Sequence, residues 1–239
     1  MSREFSLKRL YYQSKMTNST TRKQKRGAPA AVPKGVEYLP INESYPGIRK
    51  VNVYPPVYVI DDFLTPEECD TLIEMSKDRL QVSEVVNENE TGKSNLRQSN
   101  SAYYPYTEVP FLKEKGEALL GRSSDTFEQA QVTYYTQDGF YRAHLDSFDT
   151  KTAEGQRAVQ NGGGQRVATV LMYLTSNHKG GGTYFPKISK RFMPKKGRAV
   201  LFFPARVDGT EEPLNLHRAE KVHGEKWVSQ IWVRERNVV

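Results

Sequence analysis

Residues 128–146 read EQAQVTYYTQDGFYRAHLD, two runs rich in Val, Tyr, Phe and Thr divided at Gln137, Asp138 and Gly139. Short runs of β-branched and aromatic residues bounded by turn formers are the mark of strands. Toward the C-terminus the pattern repeats in RVATVLMYLT (166–175), RAVLFFP (198–204) and KWVSQIWVRE (226–235), separated by the turn-forming NGGG (161–164), NHKGGG (177–182) and PKKG (194–197). The stretch from 147 to 165 has no such signal and reads as a flexible loop, close enough to FYRAHLD to act as a lid.

Upstream the character changes. In TPEECDTLIEMSKDRL (65–80), Thr65 suits an N-cap, Pro66 the first helical position and Glu68 the capping-box partner, while Leu72, Ile73, Met75 and Leu80 supply an apolar side. A second helix is expected from Thr107 to Leu120, and VYPPVYVIDDF (53–63) reads as a strand. Helices first and consecutive strands afterwards predict a mainly β fold with flanking helices (α+β), a β-sandwich or jelly roll with the helices on one side.

The chain of 239 residues carries a net charge of +7. Residues 1–35 hold nine Lys or Arg against the single acid Glu4, a balance of +8, which leaves −1 for the remainder. A near-neutral body lacks the clustered cations that phosphate contacts require, so nucleic acid is not an expected partner. We assign residues 1–45 to a basic, disordered tail, with folding beginning between Tyr38 and Val51, and residues 46–239 to one catalytic domain. The basic, acid-poor opening suits an organelle transit peptide or an untargeted tail, the second being favoured, and no apolar stretch of secretory type follows it. No run approaches the roughly 18 apolar residues of a membrane helix, so a soluble protein without a membrane span is expected, and its compartment stays open. Cys69 is the sole cysteine, which excludes an intrachain disulfide and any cysteine-clustered metal site.

The four histidines are His144, His178, His217 and His223. His144 and Asp146 are two apart in a segment of strand character, so their side chains share a face and can hold one ion. Alone, His-x-Asp is a weak signal, more often a surface or core histidine beside a solvated aspartate. A third ligand is available in His217, just ahead of the last strand, and two imidazoles with one carboxylate form the open donor set of non-haem Fe(II) oxygenases. Lys226 opens that strand; it is either a surface residue or a buried cation that needs an anion, such as the distal carboxylate of 2-oxoglutarate. His178 and His223, in polar turns, read as solvent-facing, and Cys69 as a buried small residue on the first helix.

These residues resemble a known family. QVTYYTQDGFYRAHLD, QRVATVLMYLTSNHKGGGTYFP, PKKGRAVLFFP and LHRAEKVHGEKWVSQIW are similar, in order and approximate spacing, to the successive motifs of prolyl 4-hydroxylase catalytic domains. IDDFLTPEECDTLI and RQSNSAYY resemble the family's N-terminal part, so the likeness covers nearly everything after residue 55. It implies a double-stranded β-helix (jelly roll) core and hydroxylation of peptidyl proline at C4 with Fe(2+), 2-oxoglutarate, O2 and L-ascorbate, releasing succinate and CO2.

The resemblance further implies that His144, Asp146 and His217 bind iron, that Lys226 pairs with 2-oxoglutarate beside Tyr135 and Thr183, and that Arg97 and Ser99 lie in a mobile substrate-covering loop. Glu128, Tyr141, Arg166 and Trp227 are placed around the cleft, although Tyr141 and Trp227 also read as core aromatics and Arg166 as a structural ion-pair partner. The family's small residue, Cys and Pro after the distal histidine are replaced by Arg218, Ala219, Glu220 and Lys221, with one residue fewer before Lys226. Its Arg-Thr-Ser motif reads Arg97, Gln98, Ser99. Two rivals stay open: an oxygenase for another residue or a nucleic-acid base, whose co-substrate anchor would usually be Arg, and a catalytically silent jelly-roll module. The partner expected is a proline-containing peptide or protein; the oligomeric state has no signal.

Overall fold

The computed structural model describes residues 31–83, 96–176 and 179–238. Much of the basic tail, residues 1–30, and His178 therefore lie outside the described residues. Among those described, thirteen strands form two sheets facing each other in a jelly roll.

The larger sheet takes β1 (Ile48–Asn52), β2 (Val57–Ile60), β3 (Gln81–Val82), β5 (Asn100–Tyr104), β6 (Ala130–Tyr135), β8 (Arg166–Tyr173), β11 (Ala199–Phe202) and β13 (Lys226–Arg234). They run in the order β1-β2-β11-β8-β13-β6-β5-β3. The smaller sheet runs β10 (Lys190–Phe192), β9 (Thr183–Phe185), β12 (His217–Ala219), β7 (Phe140–His144) and β4 (Arg97–Gln98).

Alternation along the central strands sorts the core into two layers. On β8, Ala168, Val170 and Met172 join the helix-side cluster, whereas Leu171 and Tyr173 join the cluster between the sheets; on β11, Ala199 and Leu201 separate from Val200 and Phe202 in the same way. These strands read as continuous apolar runs because both of their faces are covered.

Helix α1 (Pro66–Ser76) carries the expected cap. Thr65 Oγ1 accepts from the Glu68 amide at 3.2 Å, and the Glu68 carboxylate accepts from the Thr65 amide at 2.8 Å. Helix α2 spans Pro110–Leu120, three residues shorter than expected from Thr107. Val109 precedes a proline, which disfavours helical backbone there, and Pro110 is suited to open a helix. Leu72 of α1 and Leu112 and Leu119 of α2 are fully buried in the helix-side cluster. Cys69, on α1, is also buried.

Three further expectations are corrected. The 53–63 stretch is not one strand: β1 and β2 form a hairpin whose turn takes in Pro55 and Pro56, since proline has no amide to donate to a ladder. The 147–165 stretch contains a helix, α3 (Ala153–Asn161), capped by Thr152, whose Oγ1 accepts from the Gly155 amide at 3.0 Å. Arg234 donates to the Ala158 carbonyl, and the Gln165 side chain bonds both the amide and the carbonyl of Phe148, so this segment is pinned to the sheet. Finally, packing begins ahead of residue 46, within the start expected between Tyr38 and Val51: Leu39 is buried, and the Tyr38 ring lies tilted against Phe203 while its hydroxyl donates to Glu212 at 2.6 Å. No helix among the described residues is long and apolar enough to cross a membrane.

Candidate metal centre and co-substrate pocket

In the smaller sheet β12 lies against β7, and His217 is directly paired with His144. The register then shifts, so that Ala219 pairs with Tyr141. This bulge brings Tyr141, three residues before His144, onto the ring of that histidine, the two centroids being 3.5 Å apart. Asp146 lies two residues past the end of β7. His144 Nε2 is 3.5 Å and His217 Nε2 3.8 Å from the same oxygen, Asp146 Oδ1, and one ligand atom from each residue falls within 4.8 Å of the others.

The surrounding bonds aim all three ligands. His144 Nδ1 lies 2.8 Å from the Arg142 carbonyl and His217 Nδ1 3.0 Å from that of Asn215. A carbonyl only accepts, so each Nδ1 carries the proton and each Nε2 turns a lone pair toward the centre. Burial, followed by the neighbouring His144, lowers His217 to about 4, which keeps it a neutral ligand at physiological pH. Asp146 Oδ2 accepts from Thr169 Oγ1 at 2.8 Å and from Trp232 Nε1 at 3.2 Å, leaving Oδ1 for a metal. Burial alone would raise the Asp146 carboxyl, but Arg166 and the two hydrogen bonds donated to Oδ2 favour the ionised group. Two neutral imidazoles and a carboxylate, each oriented by a further bond, fit Fe(II) with positions left open.

Thr169 and Trp232 were not singled out in the sequence. Substituting Trp232→Phe or Thr169→Val is expected to weaken Fe(II) binding about 10- to 100-fold with the fold retained, as measured by metal titration calorimetry and circular dichroism.

Behind the triad, between the sheets, sits Lys226. It is 1% exposed, and its ammonium makes no hydrogen bond or ion pair with the described residues; the Glu220 carboxylate favours its charged form without pairing with it. The rings of Tyr135 and Tyr173 flank it, their centroids 5.0 and 5.8 Å from Nζ. Tyr135 is its cross-strand partner, and Thr183, which accepts from Tyr173 Oη at 2.8 Å, lines the same pocket. Burial lowers Lys226 to about 7. A buried ammonium lacking a protein anion, a few side chains behind a metal triad, fits a dicarboxylate that bridges the two.

The 2OG-Fe(II) oxygenase superfamily model matches residues 130–234. Prolyl 4-hydroxylase 1 of Arabidopsis thaliana is 37% identical over 225 residues, which cover 85% of this chain and 76% of that one. The chain belongs to the prolyl 4-hydroxylase family. Prolyl 4-hydroxylase subunit alpha-1 of Gallus gallus is 35% identical over 182 residues, 73% of this chain and 35% of its own length. A crystal structure of a viral collagen prolyl hydroxylase from Paramecium Bursaria Chlorella virus-1, as its 2OG complex, superposes with a TM-score of 0.56 at 26% identity, covering 74% of this chain and 94% of that one. As a member of this family the chain is a 2-oxoglutarate-dependent dioxygenase, with Fe(2+) and 2-oxoglutarate as its cofactor and co-substrate.

An open groove leads from the triad of this prolyl 4-hydroxylase family member to the surface, and Tyr141, Glu128, Arg166 and Arg97 line it. Glu128 receives Arg166 through both carboxylate oxygens, at 2.7 and 2.6 Å, and Arg234 at 3.0 Å. Arg166 in turn lies over the Trp232 ring at 4.0 Å and donates to the Asp146 carbonyl at 3.3 Å. It is thus both an ion-pair partner and part of the cleft.

Trp227, expected around the cleft, is on the opposite face. It stacks on Tyr134 at 4.3 Å within the helix-side cluster. Alternation accounts for this: with Lys226 inward, Gln230 and Trp232 also face the site and Trp227 cannot. Counting in twos from Lys226 would have identified Trp232. Arg97 and Ser99, expected in a covering loop, are instead buried on and beside β4. Arg97 donates to Ser99 Oγ at 2.7 Å and Thr133 Oγ1 at 3.2 Å and lies over Tyr141 at 4.9 Å. Residues 84–95 upstream of them lie outside the described residues. His223 is exposed, as expected.

The replaced motif after His217 folds outward. Arg218 and Arg191 lie over the Tyr184 ring at 4.8 and 4.9 Å, and both guanidinium groups pair with Glu220. Ala219 alone of that tetrad lines the co-substrate pocket.

Proposed function

We propose that this protein hydroxylates peptidyl proline at C4, with 2-oxoglutarate consumed and succinate and CO2 released. The observation that carries the reading is one pocket holding the His144, Asp146 and His217 triad together with the unpaired ammonium of Lys226. Several relatives named prolyl 4-hydroxylase support the peptidyl-proline assignment.

Iron held by His144, Asp146 and His217 would, with 2-oxoglutarate and O2, supply the oxidising chemistry. The chain's own part is binding, orientation and exclusion of water. Lys226 anchors the distal carboxylate, and Tyr135 and Thr183 close around it. Tyr141 braces the His144 ring, and the bonds to Thr169 and Trp232 occupy one Asp146 oxygen and would leave the other for the metal. Tyr141, Trp232 and the exposed Tyr103 give the groove aromatic surfaces suited to an extended proline-containing segment. Ascorbate, as the reductant that restores oxidised iron, belongs to this proposal as well.

Purified protein with Fe(II), ascorbate, 2-oxoglutarate and a panel of proline-containing peptides is expected to yield 4-hydroxyproline and succinate in equal amounts by mass spectrometry. Omission of 2-oxoglutarate, or addition of an iron chelator, should abolish both. Succinate without any oxidised peptide would point to another substrate, and peptide oxidation that survives chelation would overturn the reading.

A further inference from the structure

Glu212 is a buried acid with no part in holding metal or co-substrate. It lies in the connection from β11 to β12, the strand that opens on His217, and is 1% exposed. Its carboxylate is met from two sides: Oε1 accepts from the Leu214 amide at 3.2 Å, and Oε2 accepts from Tyr38 Oη at 2.6 Å, with the Arg206 guanidinium 3.6 Å away. A carboxylate is costly to bury unless donors surround it, so the three groups are bound to one place. The backbone beside it is held as well. The Glu212 amide donates to the Pro204 carbonyl at 2.8 Å, and the Glu212 carbonyl accepts from the Asn215 amide at 3.0 Å. Asn215, also buried, completes the chain of contacts: its Nδ2 donates to the Phe203 carbonyl at 2.7 Å, and its own carbonyl faces His217 Nδ1 at 3.0 Å.

The two imidazoles differ in what fixes the carbonyl behind them. Arg142, behind His144, is inside β7, and its amide donates to the Leu96 carbonyl at 2.8 Å. Sheet bonds hold that carbonyl in place. Asn215, behind His217, precedes β12 and ends a helical turn of three residues, Pro213–Asn215. A single turn is too short to fix its own geometry, so the side chains of Glu212 and Asn215 must do it. Phe203 is their common anchor: the Tyr38 ring lies against it at 5.4 Å, and the adjacent Phe202 ring stands edge-on to His217 at 4.7 Å. We infer that Glu212 and Asn215, with Tyr38 behind them, are positioning residues for the metal ligand His217, because they lock the turn whose last carbonyl keeps the proton on His217 Nδ1 and aims Nε2 at the metal. The inference rests on His217 being a ligand and not on the identity of the substrate.

The test is calorimetric titration of the metal-free full chain with Mn(II). Glu212→Gln and Asn215→Ala are expected to weaken binding about tenfold or more, and Tyr38→Phe, which keeps the ring on Phe203 and loses only the hydroxyl, about threefold. Tyr58→Phe is the control. Tyr58 also sets its ring against Phe203 and donates to a glutamate at 2.6 Å, but that glutamate is Glu43, in the N-terminal segment and outside the turn. This variant should leave Mn(II) affinity as it is, whatever happens to its melting temperature. A second readout needs no metal: nitrogen–proton correlation NMR of the imidazoles should show His217 wholly in its Nδ1–H tautomer in the wild-type protein and as a mixture in Glu212→Gln and Asn215→Ala, with His144 keeping its tautomer. Unchanged Mn(II) affinity in both turn variants, or an unmixed His217 tautomer in both, would overturn the inference. An equal loss of affinity in Tyr58→Phe and Tyr38→Phe would do the same, and that pair decides alone should the turn variants fail to fold. A wild-type protein that binds no Mn(II) would instead overturn the metal centre itself.

Discussion

Replacing Lys226 with methionine is expected to weaken 2-oxoglutarate binding by at least about a hundredfold, since a charge-assisted contact in a dry pocket contributes on the order of 3 kcal/mol. Methionine preserves the length of the side chain and removes the charge, leaving the distal carboxylate facing Tyr135 and Tyr173 with no cation. The fold should not suffer: the wild-type ammonium is buried without a partner anion, and deleting an unpaired buried charge is neutral or stabilising. Calorimetric titration of the metal-loaded protein reports the first effect and thermal melting the second. Unchanged co-substrate affinity would remove Lys226 from the pocket's chemistry.

The same residue predicts a pH dependence. Burial lowers Lys226 to about 7 in the absence of an anion, so above pH 7 the free pocket is neutral and a dicarboxylate must bring a proton with it. Affinity for 2-oxoglutarate should be level below pH 7 and decline above it, by up to about tenfold per pH unit, in the wild-type protein and not in Lys226→Met. The contribution to folding runs the other way. Between about pH 7 and the ordinary lysine value the unfolded chain binds more protons than the folded one, so stability from this group rises with pH and is lost as pH falls through 7.

The second large effect is expected from Asp146→Asn. Two donors, Thr169 Oγ1 and Trp232 Nε1, already converge on Oδ2. The one oxygen of an asparagine would take that place, turning its NH2 toward His144 Nε2 and His217 Nε2. The centre would lose its anion and acquire an N–H where a lone pair is required. Fe(II) or Mn(II) affinity should drop at least about a hundredfold, and peptide oxidation below detection. Melting of the metal-free protein should change by only a few degrees, since the new side chain fills the old volume. Wild-type metal affinity in this variant would refute the assignment of Asp146 as a ligand.

Much of this was legible in advance. The short Val-, Tyr- and Phe-rich runs after residue 128, with turn formers between them, marked the strands, and the spacing of His144 and Asp146 marked them as ligands of one ion, although Asp146 lies past the end of its strand. The capping box at Thr65 marked the start of the first helix to the residue, although the helix ends at Ser76, short of the Leu80 expected. What stayed hidden depended on the partner strand. That His217 lies opposite His144 is a matter of register between segments more than 70 positions apart, which no local pattern encodes. The bulge that aims Tyr141 arises from the same pairing. Trp227 was misplaced because a run buried on both faces, such as KWVSQIWVRE, shows no alternation in its hydrophobicity, and only Lys226 set its phase. Helix α3 escaped because AEGQRAVQN presents too few apolar residues to show a period.

Each imidazole of the triad is hydrogen-bonded to the main-chain carbonyl two residues before it, at Arg142 and at Asn215. The direction in which the rings point is therefore set first by the local trace of their own strand ends, with Tyr141 as the one rim side chain stacked on an imidazole. Other residues along the rim can be exchanged by evolution, or by an engineer, without disturbing how the rings are aimed. An old reaction centre can in this way be fitted to new protein clients one rim position at a time.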